Sequence, residues 1–460
     1  GVVIVSTKSA KEQGKKYSKP NVSYDGYYGV TKTARMPDFM TGSEFAQYRH
    51  FRYLNVVDAQ GSTNLGKYGA SNIWGMTQGN YQTAWLTRGD LSDSYVKDVI
   101  NSGKETDWID LFLRNAASQQ NHFISVSGNG GNVNYHFGVG YQKEEGIYEY
   151  DEMQRFNLKG TVDSKISDYL TAGISFNGAY TDHNTTDDSA IANAFRLNPL
   201  CRAYDDDGNI IGNPGMSSNL GTSGDQFTST MNPLLDLVNS QYNTKTYQFL
   251  ANIYVELKPI KNLSLKTTFS PNYVASRNGQ FEGTATAARN NQENRAYASN
   301  SHKFQWTWDN QINYNLTAGD HSLGLMGLFS TSAFNQESYS SEVYDVLEQA
   351  MWWNLGQAAS DTYTNSSSYT EWSMMSWAGR LNYSYKDRYL LTATIRWDGS
   401  SRFQDGHRWG SFPSAAAAWR ITEESFMANT KNWLSNLKLR FTFGTTGNNY
   451  TQGSTKCEAE

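Results

Sequence analysis

Apolar and aromatic residues recur at every second position through one segment after another of this chain, with small polar residues between them. From Phe304 to Leu316, Phe304, Trp306, Trp308, Ile312, Tyr314 and Leu316 share one parity, and Gln305, Thr307, Asp309, Gln311, Asn313 and Asn315 the other. Successive strand side chains point to opposite faces, so the segment has one apolar face and one polar face. Val133 to Gln142 repeats the arrangement, with Val133, Tyr135, Phe137, Val139 and Tyr141 set against Asn134, His136, Gly138, Gly140 and Gln142. Many such strands in series specify a large antiparallel wall between two unlike environments, which constrains function as well as fold.

About thirteen strands of roughly 10 residues are expected, the length a tilted strand needs to cross a bilayer. They start near Asn21, Asn121, Val133, Phe156, Leu170, Tyr247, Leu263, Phe304, Leu323, Trp377, Leu391, Phe412 and Leu437. Connections between them alternate. Long or irregular segments follow Val30, Tyr141, Tyr180, Tyr273, Phe329 and Trp397. Short ones are Gly128 to Asn132, Asp163 to Tyr169, Lys258 to Asn262, Ala318 to His321 and Tyr385 to Tyr389, with a medium one from Glu423 to Asn436. An up-and-down transmembrane barrel has this asymmetry, with short turns at one end and long loops at the other. Tyr141, Tyr180, Tyr314, Tyr383, Tyr385, Tyr389 and Trp397 fall near strand ends, where aromatic girdles meet the headgroup zone. The alternation alone fits a soluble sandwich or propeller equally, with these aromatics in its core; the loop asymmetry favours the barrel.

Composition agrees. The 460 residues include 30 Tyr and only 8 Pro, which suits long strands. Mean hydropathy is negative, as expected where only one face of each strand is apolar. No apolar run approaches the roughly 20 residues of a membrane helix, which excludes a helical membrane protein. The formal charge of −5 is mild and the basic residues are dispersed, so no nucleic-acid footprint exists. Cys201 and Cys457 form neither a CxxC pair nor a framework. Gly1 opens the chain with no Met, charged n-region or apolar h-region, so the expectation is a fragment or processed piece.

The long segments carry expectations of their own. Ser43 to Leu54 and Asn101 to Ser118 have helical spacing, the second through Trp108, Leu111, Phe112 and Leu113. The polar segment Asp182 to Thr246 reads as a surface loop. Chemistry-bearing motifs are scarce. The seven His include no HExxH, and His122 and His136 are expected to face a polar lumen rather than a metal. Asp205, Asp207 and Asn209 cluster beside Gly208 in a loose likeness of a calcium loop; without a distal acid between Ile210 and Leu220, a solvated turn is the leading reading and bound Ca²⁺ the alternative. Neighbouring acids such as Glu144 and Glu145 point to opposite strand faces and make no glycosidase pair. No GxSxG, P-loop or dinucleotide fingerprint is present, so no enzyme is expected. Trp74, Trp85, Trp352, Trp353 and Trp372 lie amid Asn, Gln, Ser and Thr, a mixture suited to sugar rings, peptides or a protein partner, and equally to loop packing.

The residues also carry a resemblance. Gly1-Val2-Val3-Ile4-Val5-Ser6-Thr7-Lys8 is similar to the last plug strand of SusC-like (RagA-like) TonB-dependent outer-membrane transporters. Thr106-Asp107-Trp108, Gln120-Asn121-His122, Ile124 to Gly128, Gly146-Ile147 and Arg155-Phe156-Asn157-Leu158 follow in the family's order. Trp397-Asp398-Gly399-Ser400-Ser401-Arg402-Phe403, Trp409 to Ser414, Ala418-Trp419-Arg420 and Leu437 to Arg440 continue it. The resemblance implies a plugged barrel of about twenty-two strands, a SusD-like surface lipoprotein as lid, and the TonB–ExbB–ExbD complex as energy source through an N-terminal region absent here. It implies import of oligosaccharides or peptides across the outer membrane of a Gram-negative bacterium, contact with outer-membrane lipid and no catalytic residues; no cofactor is expected, apart from the Ca²⁺ alternative at the Asp205 turn.

The expected organisation is residues 1–20 as the end of the plug and linker, 21–453 as an incomplete antiparallel barrel, and 454–460 as a tail unlike the family. That tail lacks the apolar, aromatic close of a final barrel strand. A chain of this kind is expected not to transport alone, because an open barrel leaves edge groups that lipid cannot satisfy. The alternative is a secreted β-rich carbohydrate-binding or adhesin module, which would bury its apolar faces against one another.

Overall fold

In the computed structural model, which describes residues 18–45, 48, 98–99, 101–215, 230–359, 361–430 and 432–449, the alternating segments form one antiparallel sheet of thirteen strands, each paired to its neighbours in sequence. The strands are β1 (Ser18–Thr31), β2 (Ala117–Asn129), β3 (Val133–Glu145), β4 (Glu152–Lys165), β5 (Leu170–Thr185), β6 (Ser240–Leu257), β7 (Leu263–Glu282), β8 (Arg295–Ala318), β9 (His321–Tyr344), β10 (Thr364–Tyr385), β11 (Tyr389–Ser400), β12 (Trp409–Arg420) and β13 (Lys438–Gly444). Edge strands β1 and β13 do not pair with each other, so the described sheet is an open arc of an up-and-down barrel.

All thirteen expected strands form, but their lengths differ from the expected ten or so. β2 has 13 residues, whereas β8 and β9 have 24 each and β10 has 22. The added length is on the long-loop side. Stretches such as Thr364–Glu371 carry no apolar alternation, yet they pair with Glu342 to Asn335 on β9 without a break. Ladder hydrogen bonds hold these overhangs in place of apolar burial. The connection after β3 is accordingly short, residues 146–151.

Register is constant from β2 to β13, so parity assigns every side chain to a face. One face carries Val139, Phe156, Ile174, Phe249, Ile253, Phe269, Trp308, Ile312, Leu325, Trp377, Ile395 and Phe441, all exposed. Exposed apolar residues on a single face over the whole sheet are what lipid contact requires. Girdles bound the band. Toward the long loops, Tyr141, Phe156, Tyr180 and Tyr247 contact in sequence, with ring centroids 5.0, 6.4 and 4.8 Å apart. Toward the short turns, Tyr385, Tyr389 and Trp419 stack 6.3 and 6.4 Å apart. There the Tyr389 hydroxyl and Trp419 Nε1 donate to Glu424 at 2.8 and 3.0 Å, so each ring has a wet handle. The short turns use left-handed backbone, as at Gly319 with φ of 57° between β8 and β9.

Two expectations need correction. Asn101 to Ser118 is not one helix: residues 101–102 are helical, a separate 3-10 turn forms at Asp110–Phe112, and β2 already begins at Ala117. The apolar spacing serves a loop core instead, because Trp108 and Phe112 are buried and Leu113 bridges to Tyr148. His122 shares the apolar face with Ile124, and its Nδ1 lies 2.7 Å from the Tyr24 hydroxyl; His136 does lie on the polar face. The Ser43 to Leu54 segment is helical at residues 42–45, and most of it lies outside the described residues.

Candidate functional site

The polar face and the loops above it carry the candidate site's side chains. Along the wall, Arg396 holds Asp398 at 2.7 and 2.9 Å and reaches Ser376 at 3.0 Å. Tyr254 donates to Asp163, and Lys266 lies 4.7 Å from the Tyr254 ring. Nearer the long-loop rim, a belt crosses five elements. The Tyr242 hydroxyl lies 3.3 Å from Asp187 and 3.1 Å from Glu282. Arg295 joins Glu282 at 2.9 Å and Glu342 at 2.6 Å, and Tyr344 donates to Glu342 at 2.8 Å. Charge-assisted bonds of this kind fix the rim geometrically. The Arg295 guanidinium beside Glu342 holds that carboxyl below its ordinary range.

Over this rim sits a small apolar core formed by the β1–β2 and β5–β6 connections. Helix α1 (Asp188–Ala194) is capped by Asp187, whose side chain accepts from the Ser189 amide, and α2 (Leu234–Asn239) leads into β6. Trp108, Phe112, Ala190, Leu197, Cys201 and Leu234 pack together beneath them. The described residues of the segment 182–246 thus build, with Trp108 and Phe112, a packed apolar core and are not a plain polar loop. Thr106-Asp107-Trp108 builds it: Thr106 Oγ1 accepts from the Ala203 amide, Asp107 accepts from the Ile109 and Asp110 amides, and Trp108 Nε1 donates to the Asn198 carbonyl. Cys201 is fully buried, and burial pushes its thiol up to about 12. Cys457 lies outside the described residues. Asp236 on α2 is 2% exposed and accepts from the Ala287 amide at 2.8 Å; burial pushes its carboxyl up to about 7. Beside the module, Phe39, Met40, Glu105, Phe195 and Pro199 line an open cleft of about 230 Å³.

The candidate tryptophans separate. Trp372 is on the polar face, stacked on Phe334 at 5.7 Å with the Arg402 guanidinium 4.7 Å from its ring. Trp352 is buried on the opposite, outward face, where the β9–β10 loop packs against Phe281, Ala296 and Val343. Gly279 admits it: a Cβ there would overlap the Trp352 indole. Trp353 is 55% exposed on the same outward side. Trp74 and Trp85 lie outside the described residues. The Asp205 carboxylate accepts from the Asp207 amide at 3.0 Å and the Asn209 amide at 2.8 Å, closing the turn on itself. Asp206, not singled out from sequence, pairs with Arg202 and Lys104. Among the described residues no three His, Cys, Asp or Glu side chains converge as a metal site. A concavity of about 500 Å³ around Thr267, Asn310, Ile312 and Gly327 opens on the apolar face, where lipid rather than solute would fill it.

No protein-family model matches the chain. It aligns with TonB-dependent receptor P26 of Formosa agariphila at 27% identity, covering 97% of this chain and 41% of that receptor. TonB-dependent receptor SusC of Bacteroides thetaiotaomicron aligns at 28% identity, again over 97% of this chain and 41% of the receptor. The chain resembles SusC-like TonB-dependent receptors. It spans about two fifths of the length of these curated relatives. Its fold matches the RagAB peptide transporter with a TM-score of 0.72 at 18% identity, covering 95% of this chain and 48% of the other. The SusC-like receptors it resembles are transport proteins, not enzymes.

Proposed function

We propose that this chain is the wall and outer mouth of an outer-membrane importer of the SusC-like kind, taking oligosaccharides or peptides. The observation that carries the reading is strict sidedness: one lipid-facing apolar band bounded by aromatic girdles, backed by a face of hydroxyls, amides and paired charges. Such a face hydrogen-bonds polar solutes and offers no covalent chemistry. Import fits the named relatives, TonB-dependent receptors and a peptide transporter. Under this reading, a SusD-like lipoprotein closes the mouth and the TonB–ExbB–ExbD complex drives opening. Trp372 with Arg402 and the Tyr242–Arg295 rim are the side chains proposed to meet the solute, and further strands close the barrel between β1 and β13.

The test compares this chain fitted with an export signal against a form extended to the length of its relatives. The extended form is expected to enter outer membranes, to shift in heat-dependent gel migration, and to support TonB-dependent uptake of a labelled oligosaccharide or peptide. A chain that folds cooperatively as a soluble monomer without detergent would overturn the reading in favour of a secreted binding module.

A further inference from the structure

Above the upper girdle, the outward face turns cationic. Lys245 lies two residues before Tyr247 on β6, Arg277 lies opposite it on β7, and both share the face of the lipid band. Both cations sit under one ring: the Arg277 guanidinium is 4.5 Å and the Lys245 ammonium 5.9 Å from Trp353. Asp182, 3.3 Å from Lys245, balances one charge and is itself hydrogen-bonded by Asn243. Arg277 has no ion-pair partner among the described residues. The β9–β10 loop is locked over this spot by Trp352 in its slot at Gly279. Next along the same row, Asn300, Tyr339, Ser341, Asn365 and Ser367 line a hollow of about 480 Å³. A half-compensated cation pair under an exposed indole, beside a cradle of hydroxyls and amides, faces away from the lumen at headgroup height.

We propose that Arg277, Lys245 and Trp353 clamp the phosphate-bearing headgroup of an outer-leaflet lipid, whose polar body enters the adjoining hollow. The inference rests on the membrane reading above. Guanidinium and ammonium groups take phosphate oxygens by charge-assisted bonds, tryptophan is favoured at the headgroup level, and basic residues near a membrane surface favour anionic lipid.

The extended protein, placed in phosphatidylcholine nanodiscs containing lipid A, is assayed by native mass spectrometry for retained lipid A. Each basic residue near an anionic surface contributes about fivefold, so the R277Q/K245Q variant is expected to retain lipid A about 30-fold more weakly. W353A is expected to weaken retention several-fold. K143Q, on the same row but paired with Glu152 at 3.1 Å, is expected to change little. Inorganic phosphate at matching concentration is expected not to displace the lipid. Unchanged retention in R277Q/K245Q, an equal loss in K143Q, or displacement by phosphate alone would each overturn the assignment. Heat-dependent migration is read on the same samples: insertion without lipid A preference removes this inference alone, whereas failure of the unsubstituted protein to insert removes the membrane reading as well.

Discussion

Ile253 and Asn252 are neighbours on β6 that face opposite environments, so one substitution made at each separates a membrane wall from a soluble sheet. Ile253 is 44% exposed and pairs with Ile174 and Phe269 within the apolar band. It lies six positions from Tyr247 in the upper girdle and four from Leu257 at the strand's end, roughly 20 and 13 Å along the chain, which places it near mid-bilayer. Arginine at that depth costs about 2–4 kcal/mol, or about 30- to 1,000-fold in the folded ratio. In water, the same change at a half-exposed site would cost about 1 kcal/mol in lost packing. Asn252 accepts from Ser270 Oγ at 2.7 Å on the polar face, and Asn252→Arg loses that bond at about 1 kcal/mol. Urea unfolding of the extended protein from lipid vesicles, followed by heat-dependent gel migration, reads both. Ile253→Arg is expected to be at least about 1–2 kcal/mol worse than Asn252→Arg. Equal costs at the two sites, or a smaller cost at Ile253, would refute the lipid assignment of the face.

The loop modules make further tests. Asp236 is raised by burial to about 7, with Asp187 and Glu282 adding to the shift. The folded value therefore exceeds the unfolded one near 4, so the module's stability is fully present below about pH 4 and declines as pH rises through about 7. Hydrogen-exchange protection across residues 230–239, taken relative to the intrinsic exchange rate at each pH, should fall between pH 5 and pH 8, and Asp236→Asn should flatten that dependence; constant protection in the unsubstituted protein would refute it. Trp352→Ala empties a slot only 3% exposed and should cost the β9–β10 loop about 3–5 kcal/mol. Gly279→Val should free the same loop from the strand side. Limited proteolysis within 345–363 measures both, and unchanged cleavage would show that Trp352 does not hold the loop.

Where one face of the sheet is apolar, period two marks the strands: twelve of the thirteen expected starts fall inside an observed strand, and Leu437 immediately precedes β13. The expectation failed on the strand overhangs, which lack apolar alternation. β6 begins at Ser240 rather than near Tyr247, β8 at Arg295 rather than Phe304, and β10 at Thr364 rather than Trp377. A ladder in water leaves no hydrophobic trace, so stretches such as Thr364–Glu371 read as loop. Trp108, Leu111 and Phe112 misled in the opposite direction, because their spacing suits a helix, while the Arg114 amide donates to the Ile147 carbonyl and draws the segment toward the β3–β4 connection. For the candidate sites, Trp372 could be placed on the polar face by its parity with Met374 and Ser376. Trp352 and Trp353 could not, since a loop residue has no register. Lys245 and Arg277 were missed, although each continues the parity of a girdle tyrosine, Tyr247 and Tyr273, past the edge of the apolar band.

The two loop cores pack on opposite faces, and that separates two jobs. The β5–β6 module is held to the lumen side by Tyr242, whose hydroxyl reaches Asp187 at the start of α1. The β9–β10 loop is held to the outward side by Trp352, seated over an outward-facing glycine of β7. The long overhangs of β7, β8 and β9 make both attachments feasible, because they raise two faces above the bilayer for loops to cover. On the importer reading, changes in the first module should alter what reaches the mouth, whereas changes around Trp352, Trp353 and Arg277 should alter how the wall meets its lipid. Loss of Trp352 should therefore leave solute selectivity intact, even where it weakens the loop.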